Sequence, residues 1–347
     1  MSLRFGMSGT GAMAVAMLPA FRHAPAADLV AVSSGSNDRA QEFAAKHGIE
    51  KSYGDFDAML GDASIDAIYI ANRTRDHASA SIAALQAGKH VLCEKPFALS
   101  AEEGEKVIGA ARASGKLFME GLWTHFLPSY RRVHDLVHSN EVGEAKHLVA
   151  GYGYPTSSEV RPRLFYKDDG GVLLDIAVYP ISLALRLMGP VDGVDADIKH
   201  NSEGVDTHAS LQLLHENGAT SQLVASFDVL TANAATVACE KGLISIPAPL
   251  FGAEQVVVER FSISPSASGG GRSGLKAALK QNPLLRRVKN ALSGGEHHPY
   301  GADQYLAQMQ HFVSLIERQK LESDIATHAL SVEVLHVIDR LREREGA

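Results

Sequence analysis

The feature that most constrains the fold of this sequence is a glycine-rich turn near its start. Gly9-Thr10-Gly11-Ala12-Met13-Ala14 follows a short apolar run, Leu3–Met7, and precedes a stretch with helical spacing, Met13–Ala24. In a G-x-G-x-x-A turn the first glycine allows a tight bend and the second lets backbone N–H groups approach a pyrophosphate. The third small residue lets the helix and the strand pack closely. At a first strand-to-helix turn, the pattern predicts a dinucleotide site formed by Gly9, Thr10, Gly11, Ala12 and Met13.

The hydrophobic pattern of residues 1–121 alternates between strand and helix periods. Strand-like runs are Leu3–Met7, Leu29–Val32, Ala67–Ala71 and His90–Cys93, and stretches with helical spacing are Met13–Ala24, Asp38–His47, His77–Ala87 and Ala101–Ser114. Strict strand–helix succession predicts a parallel sheet with helices on both faces. We therefore expect an α/β dinucleotide-binding domain of the Rossmann type over residues 1–121.

Residues 122–347 have a different pattern, in which strands follow one another without crossover helices. The predicted strands are Ala145–Gly153, Val191–Lys199, Thr207–His215, Thr220–Ser226, Ala234–Ala238 and Gln255–Arg260, and the predicted helices are Ile181–Met188, Tyr305–Arg318 and Ala326–Arg344. This order predicts an α+β domain with a large, mainly antiparallel open sheet.

One segment of the second domain, residues 264–299, has an unusual composition. Ser266–Gly274 is rich in glycine and serine, and Leu275–Leu292 contains basic residues and no acids. We interpret the segment as a solvated, hinged insertion, with a lid or an oligomer arm as the alternatives.

Composition excludes several classes of function. The 347 residues contain 33 Lys and Arg against 40 Asp and Glu, a net charge of −7, so no nucleic-acid partner is expected. No run reaches the ~18 apolar residues of a membrane helix, so no membrane partner is expected either. The two cysteines, Cys93 and Cys239, favour a reducing compartment, and we predict a cytoplasmic protein. No clustered metal ligands occur, so no metal is expected.

The residues after the second strand indicate which dinucleotide binds. An acid about 20 residues past the glycines would bind the ribose 2′-hydroxyl of NAD. Here the chain reads Ser33-Ser34-Gly35-Ser36-Asn37, followed by Arg39. The hydroxyl groups and the guanidinium suit a 2′-phosphate, so Ser34, Gly35 and Arg39 favour NADP, with NAD possible. The alternative is that Arg39 only faces solvent.

The segment KHVLCEKPFALS, residues 89–100, resembles a signature of the Gfo/Idh/MocA oxidoreductases, the family of glucose–fructose oxidoreductase and inositol dehydrogenase. Three further segments are similar to the family, namely RFGMSGTGAMA (4–14), SIDAIYIANRTRDH (64–77) and GGVLLDIAVYP (170–180). Many members carry His four residues after the aspartate, whereas this chain has Tyr179 after Asp175. With EGLWTHFLP (120–128), that variant resembles the branch containing dimeric dihydrodiol dehydrogenase, NADP-dependent xylose dehydrogenases and glucose–fructose oxidoreductase.

The resemblance implies roles for individual residues. It implies that Lys95, Tyr179 and Asp175 are catalytic, with Tyr179 as the general acid/base and Lys95 as the cation that assists it. It further implies that Ala71, Asn72, Thr74, His77, Glu94 and Lys95 contact or orient the nicotinamide end of the cofactor. Candidate substrate contacts are Trp123, Arg163, Asp175 and Tyr179. The alternatives are core packing for Trp123 and Tyr179, a surface salt bridge for Arg163, and a structural hydrogen bond or helix cap for Asp175.

At three places the sequence departs from the family pattern or from simple helix geometry. The i, i+4 spacing would place Asp175 and Tyr179 on one helix face, but Pro180 disfavours helical geometry at Tyr179. Arg73-Thr74 stands where the usual loop of the family reads Pro-Asn, and His125 stands where the branch commonly has Arg.

The resemblance implies an NADP-dependent dehydrogenase for CH–OH donors. It would transfer a hydride between nicotinamide and a sugar, sugar alcohol or cyclic vicinal diol. The alternatives are a non-catalytic dinucleotide sensor and a redox-assisted, NAD-dependent glycoside hydrolase; Lys95 together with Asp175 and Tyr179 favours an enzyme. The family's second-domain sheet also implies a homodimer or homotetramer.

Overall fold

Six strands form a parallel sheet in the first part of the computed structural model, which describes residues 2–261 and 295–345. The strands are β1 (Leu3–Ser8), β2 (Ala27–Ser33), β3 (Lys51–Tyr53), β4 (Ala67–Ile70), β5 (His90–Cys93) and β6 (Phe118–Glu120), in the spatial order β3-β2-β1-β4-β5-β6. The chain direction across the sheet reverses between β1 and β4. In open α/β sheets, ligands bind at this reversal, beyond the carboxyl ends of the strands.

Five helices connect these strands and cover both faces of the sheet. They are α1 (Ala12–His23), α2 (Asn37–His47), α3 (Phe56–Leu60), α4 (Thr74–Gln86) and α5 (Ala101–Ser114). Ser36 caps α2 and Ser100 caps α5 by accepting a backbone N–H, and both helices end at a left-handed glycine, Gly48 and Gly115. In contrast, Gly11 precedes α1 and provides no side-chain cap.

The second sheet has eight strands. They are β7 (Ala145–Gly153), β8 (Val191–His200), β9 (Asp206–His215), β10 (Thr220–Ser226), β11 (Ala235–Cys239), β12 (Gly242–Ile246), β13 (Gln255–Arg260) and β14 (Glu296–His297), in the order β14-β13-β12-β11-β7-β10-β9-β8. Within the described residues, β7 and β10 are parallel and the other pairs are antiparallel. Along β9, Leu211 and Leu213 point into the core, whereas Gln212 and Leu214 are exposed on the outer face.

Four more helices complete the described structure, namely α6 (Pro128–His138), α7 (Val178–Met188), α8 (Leu306–Glu317) and α9 (His328–Glu345). The inner face of the second sheet is covered by α7, which packs on β7 and β10. The last two helices return to the first sheet, since α8 packs on α1 and α9 packs on α5 and α7. No helix of the described ranges is both long and apolar enough to cross a bilayer.

The predicted fold class is confirmed, with a parallel dinucleotide-type sheet followed by a mainly antiparallel one. The division into domains at residues 121 and 122 stays a prediction. The short elements β3, α3, β6 and β12 were not predicted, because runs of three to five residues give little periodicity. Ser266–Gly274 and Leu275–Leu292 lie outside the described residues.

The expectation that Pro180 disfavours helical geometry at Tyr179 is wrong. Residues Leu173–Ala177 form one π-helical turn that continues directly into α7, so both Tyr179 and Pro180 are helical. Pro180 has no N–H to offer the carbonyl groups of the preceding turn. The carbonyl oxygen of Asp175 in that turn accepts a hydrogen bond from Lys95 instead.

Glu120, at the end of β6 in the first sheet, is a buried acid. Its side chain accepts the backbone N–H of Phe97 at 3.2 Å, and burial raises the pKa of Glu120 to about 7. The ordinary value is 4.5, so between about pH 4.5 and pH 7 the folded protein binds more protons than the unfolded chain. Stability therefore falls as the pH rises through this window.

We expect Glu120→Gln to raise the free energy of unfolding by about 1–3 kcal/mol at pH 8, because the amide removes the cost of a buried charge. At pH 4.5 the gain should largely disappear, since the wild-type carboxyl is then protonated. Urea denaturation at the two pH values measures both differences. Glu42→Gln on the exposed surface of α2 is the control, and an equal gain for Glu120→Gln at both pH values would contradict the interpretation.

Candidate active site

The glycine-rich turn lies between the ends of β1, β2 and β4. Gly9 has a φ of 111°, and a Cβ there would collide with the carbonyl oxygen of Ala71, just after β4. The Gly9 N–H donates to the Ser33 carbonyl at 2.9 Å, and the Ala71 N–H donates to the Ser8 carbonyl at 2.8 Å. Only glycine fits this conformation and this close approach.

The start of α1 has the properties of an anion site. Gly11 provides no side-chain cap, and the first turn contains no acid. The first N–H groups of a helix have no partner within it, so those at Ala12 and Met13 are available to a ligand near the positive end of the helix dipole. This favours binding of a phosphate group.

A cleft of about 950 Å³ opens above the turn. Eight of the predicted cofactor residues line it, namely Gly9, Thr10, Gly11, Ser34, Gly35, Arg39, Ala71 and Asn72. At the β2 end, Arg39 Nε donates to Ser34 Oγ at 3.3 Å, which brings a guanidinium and a hydroxyl together. Asp55 also lines this end, but its carboxylate caps α3.

The segment after β5 forms the other end of the site. The Lys95–Pro96 peptide bond is cis. His77 is buried, and its Nδ1 lies 2.8 Å from the Pro96 carbonyl oxygen. Burial lowers the pKa of His77, so the ring is neutral, and Nδ1 carries its proton because a carbonyl can only accept. His77 therefore orients the turn that presents Lys95.

Glu94 lies behind Lys95 and is also buried. Its Oε1 accepts the Tyr69 hydroxyl proton at 2.6 Å, and burial raises the pKa of Glu94. The Glu94 carboxyl is therefore held by Tyr69, which lies on β4 of the first sheet. Among the residues that the structure describes, no three His, Cys, Asp or Glu side chains come together as a metal site.

Lys95 joins the two sheets through Asp175. Its Nζ donates to the Asp175 carbonyl oxygen at 2.5 Å and to Oδ1 at 2.9 Å. The same ammonium lies 4.8 Å from the centre of the Tyr179 ring. The structure thus brings the three predicted catalytic residues into contact, although they come from the segment after β5 and from the helical segment between β7 and β8.

Tyr179 differs from the expectation in its proton affinity. Lys95 lies over the face of the ring and not at the hydroxyl, so it does not lower the pKa of Tyr179 toward neutrality. Burial, followed by the nearby Glu94, raises the pKa of Tyr179 well above its ordinary value. Its hydroxyl accepts the Trp123 indole N–H at 3.0 Å. The phenol is therefore protonated at neutral pH, and Trp123 holds it in place.

An aromatic wall beside this contact was not predicted. It consists of Tyr152 and Tyr154 on or next to β7 and of Phe251 after β12. The Phe251 ring stacks on Tyr152 at 3.8 Å between centroids and lies 4.3 Å from the Tyr179 ring. The Tyr-Gly-Tyr end of β7 was the available signal for the first two residues. No local pattern marks Phe251.

The remaining predicted residues have other positions. Arg163 lies opposite the glycine-rich turn, and Thr74 lines a smaller cavity of about 100 Å³ beside Asp175. Arg73, which replaces the family's proline, forms a two-point ion pair with Asp169. His125 is buried, with Nε2 3.0 Å from Ser182 Oγ, and burial lowers its pKa to about 3.

Residues 3–122 match the model of the GFO/IDH/MocA oxidoreductase family with an NAD-binding Rossmann fold, and residues 130–245 match its C-terminal domain. The trans-1,2-dihydrobenzene-1,2-diol dehydrogenase of Xenopus laevis is 31% identical over 265 residues, which cover 74% of this chain and 79% of that protein. This chain belongs to the GFO/IDH/MocA oxidoreductase family.

Solved structures share the fold over almost the whole chain. The aldose–aldose oxidoreductase of Caulobacter crescentus, complexed with glycerol, has a TM-score of 0.82 at 24% identity and covers 100% of this chain and 99% of its own. A 3-ketoreductase of Actinomadura kijaniata in complex with NADP and TDP-benzene has a TM-score of 0.78 at 23% identity, with coverage of 99% and 98%.

The cleft fits the dinucleotide of this NAD(P)-binding family. The Asn72 side-chain oxygen is buried without a partner among the described residues, so a hydroxyl of a bound ligand would satisfy it. A Cβ at Gly11 would lie 3.1 Å from Arg163 Nη1, and glycine leaves this space between the turn and the guanidinium open. Both observations support a ligand between the turn and the loop after β4.

We expect Gly9→Ala to lower the free energy of unfolding by at least about 1–3 kcal/mol, because a methyl group at positive φ is strained and meets fixed backbone. Gly109→Ala is a matched control, since Gly109 is exposed on α5 with open space around it. That substitution should stabilise by about 0.5–1 kcal/mol. Chemical denaturation measures both, and equal effects would contradict the proposed strain at Gly9.

Proposed function

We propose that this oxidoreductase uses NADP to transfer a hydride to or from a CH–OH carbon of a sugar, sugar alcohol or cyclic vicinal diol. The observation that carries the proposal is the contact of Lys95, Asp175 and Tyr179 at one end of the dinucleotide cleft. The similar proteins of Xenopus laevis and Caulobacter crescentus, a dihydrodiol dehydrogenase and an aldose–aldose oxidoreductase, support a substrate with hydroxyl groups on neighbouring carbons.

In this proposal the side chains divide the work of the reaction. Nicotinamide, when bound, accepts or supplies the hydride. Lys95, held by the carbonyl and carboxylate of Asp175, donates a hydrogen bond to the reacting oxygen of the substrate. Tyr179 gives its proton to that oxygen during carbonyl reduction and takes one during alcohol oxidation. The Trp123 indole N–H orients the Tyr179 hydroxyl, and Glu94, hydrogen-bonded to Tyr69, anchors the chain next to Lys95.

The aromatic wall supports a ring-shaped substrate. Tyr152, Tyr154 and Phe251 present partly exposed ring faces next to Asp175 and Tyr179. Such faces pack well against the C–H face of a sugar or a cyclic diol, while Lys95 and Asp175 contact its hydroxyl groups. The same site therefore has an apolar wall for binding and a polar side for reaction.

We expect Tyr179→Phe to lower kcat by about 100-fold or more, the range for losing a general acid–base group, with little change in NADP affinity. Because the pKa of Tyr179 is raised, the phenol is fully protonated at neutral pH. In the wild type, alcohol oxidation should therefore accelerate as the pH rises, and carbonyl reduction should not. Steady-state kinetics in both directions tests this.

Tyr305→Phe is the control, since Tyr305 packs on Trp123 but forms no hydrogen bond with the Tyr179 hydroxyl. If Tyr179→Phe retained the wild-type rate and pH profile, the catalytic role would be wrong. A tightly held cofactor with product formation but no net change in nicotinamide absorbance would favour the hydrolase alternative. Dinucleotide binding without turnover of any tested sugar or diol would favour the sensor alternative.

We expect Arg39→Ala to weaken NADP binding about 10- to 100-fold and to leave NAD binding nearly unchanged. The guanidinium beside Ser34 would contact the 2′-phosphate through charge-assisted hydrogen bonds, which NAD cannot form. Fluorescence titration with NADPH and NADH measures both affinities. Lys46→Ala removes a cation from the far end of the same helix and is the control; equal losses for both dinucleotides would contradict the assignment of Arg39.

The homodimer or homotetramer through the second sheet and the cytoplasmic location stay predictions. The outer face of the sheet supports association, since Val149 and Leu214 are each 46% exposed there.

A further inference from the structure

Arg163 extends across the dinucleotide cleft from the half of the chain that contains the second sheet. It lies on a short 3-10 turn, Pro162–Phe165, between β7 and α7. Its Nη1 lies 3.1 Å from the position that a Cβ on Gly11 would take. The guanidinium therefore stands directly over the glycine-rich turn, which belongs to the first sheet.

Among the described residues, the Arg163 guanidinium has no ion-pair partner, because the two carboxylates that line a cavity with it, Asp169 and Asp175, pair with other cations. Neighbouring arginines are engaged, since Arg161 donates to the Tyr154 hydroxyl at 2.7 Å and Arg73 pairs with Asp169. The Arg163 side chain has no hydrogen bond, ion pair or ring contact with any described residue, and only its backbone carbonyl accepts one, from the Tyr166 N–H. It also faces the start of α1, whose first turn lacks an acid.

This arrangement brings two positive elements together. The first N–H groups of α1 carry the positive end of the helix dipole, and the guanidinium of Arg163 carries a full charge. In proximity they repel each other, unless an anion lies between them. A pyrophosphate would accept the helix N–H groups on one side and the planar guanidinium fork on the other.

The ion pair between Arg73 and Asp169 holds the loop that carries Arg163. Arg73 Nε and Nη2 donate to the Asp169 carboxylate at 3.1 and 2.5 Å, and the Arg73 guanidinium stacks 4.5 Å from the centre of the Tyr166 ring. The Asp169 side chain is only 4% exposed. Within the loop, the Gly171 N–H donates to the Leu164 carbonyl at 2.8 Å. The loop is thereby tied to the segment after β4.

We propose that Arg163 binds the pyrophosphate of the dinucleotide from across the cleft and that the Arg73–Asp169 pair positions it. Arg163 is then a cofactor ligand and not a substrate contact. Arg73 is a positioning residue that acts through Arg163. The proposal rests on dinucleotide binding at this turn, but not on the preference for NADP, because NAD and NADP share the pyrophosphate.

The first test is binding of NADPH and NADH to Arg163→Ala by fluorescence titration. Both affinities should fall by the same factor, about 10- to 100-fold, which is the range for losing a hydrogen bond to a charged group. Arg163→Lys should fall less, because it keeps the charge but loses the fork. Lys167→Ala, which removes an exposed cation from the same loop, is the matched control and should change both affinities less than about 2-fold.

The outcomes separate this proposal from the one on NADP. Equal losses for both dinucleotides support Arg163 as a pyrophosphate ligand, even if the wild type prefers NADH. Unchanged affinities with a raised KM for the alcohol or ketone substrate would overturn it and make Arg163 a substrate contact. A loss confined to NADPH would also overturn it and would place Arg163 at the 2′-phosphate.

The second test is a double-mutant cycle with Arg73→Gln. Alone, Arg73→Gln should speed NADPH release in stopped-flow measurements by about 3- to 10-fold, which lies in the range for residues coupled through a shared backbone shift. In the Arg163→Ala background it should have no further effect, because the residue that it positions is absent. Additive effects would contradict positioning through Arg163. Far-UV circular dichroism of each variant confirms that the fold is retained.

Discussion

The contact between Lys95 and Asp175 is the interaction on which the arrangement of the site depends. Lys95 comes from the segment just after β5 of the first sheet, and Asp175 comes from the turn before α7, which packs on the second sheet. The Lys95 side chain is only 10% exposed, and a charge removed from water in this way must be paired. The pair therefore fixes how α7 lies against the first sheet. Tyr179 lies on α7, so the pair also determines that its hydroxyl reaches the Trp123 indole N–H.

The same contact determines the proton chemistry that is available. Because the Lys95 ammonium is directed to the carbonyl and carboxylate of Asp175, it faces the Tyr179 ring and leaves the hydroxyl to the indole of Trp123. Burial and the nearby Glu94 then keep the phenol protonated. In the proposed reaction, this protonated phenol is the form that would give a proton to a developing alkoxide, which suits carbonyl reduction. The proposed alcohol oxidation would first require that the phenol lose its proton.

Local patterns predicted the parts of the molecule that local interactions determine. The turn at Gly9 was predictable because its shape depends on a few neighbouring residues, and the alternation of strand and helix gave the parallel sheet. Contacts between distant residues were not predictable in this way. Trp123 and Tyr179 are 56 residues apart, and Arg73 and Asp169 are 96 apart. The position of Pro180 in a helix also depended on tertiary contacts, since Lys95 takes the carbonyl of the preceding turn.

The distribution of charge reconciles an acidic protein with an anionic cofactor. The chain has a net charge of −7, yet three arginines, Arg39, Arg73 and Arg163, line the dinucleotide cleft. Their roles differ because their partners differ. Arg73 is neutralised by Asp169 and holds a loop, whereas the Arg39 side chain donates only to a hydroxyl and the Arg163 side chain has no hydrogen bond or ion pair with any described residue. The two arginines without a carboxylate partner stand at the β2 end of the cleft and over the glycine-rich turn. The local electrostatic potential in the cleft, and not the net charge of the chain, therefore favours binding of an anion there.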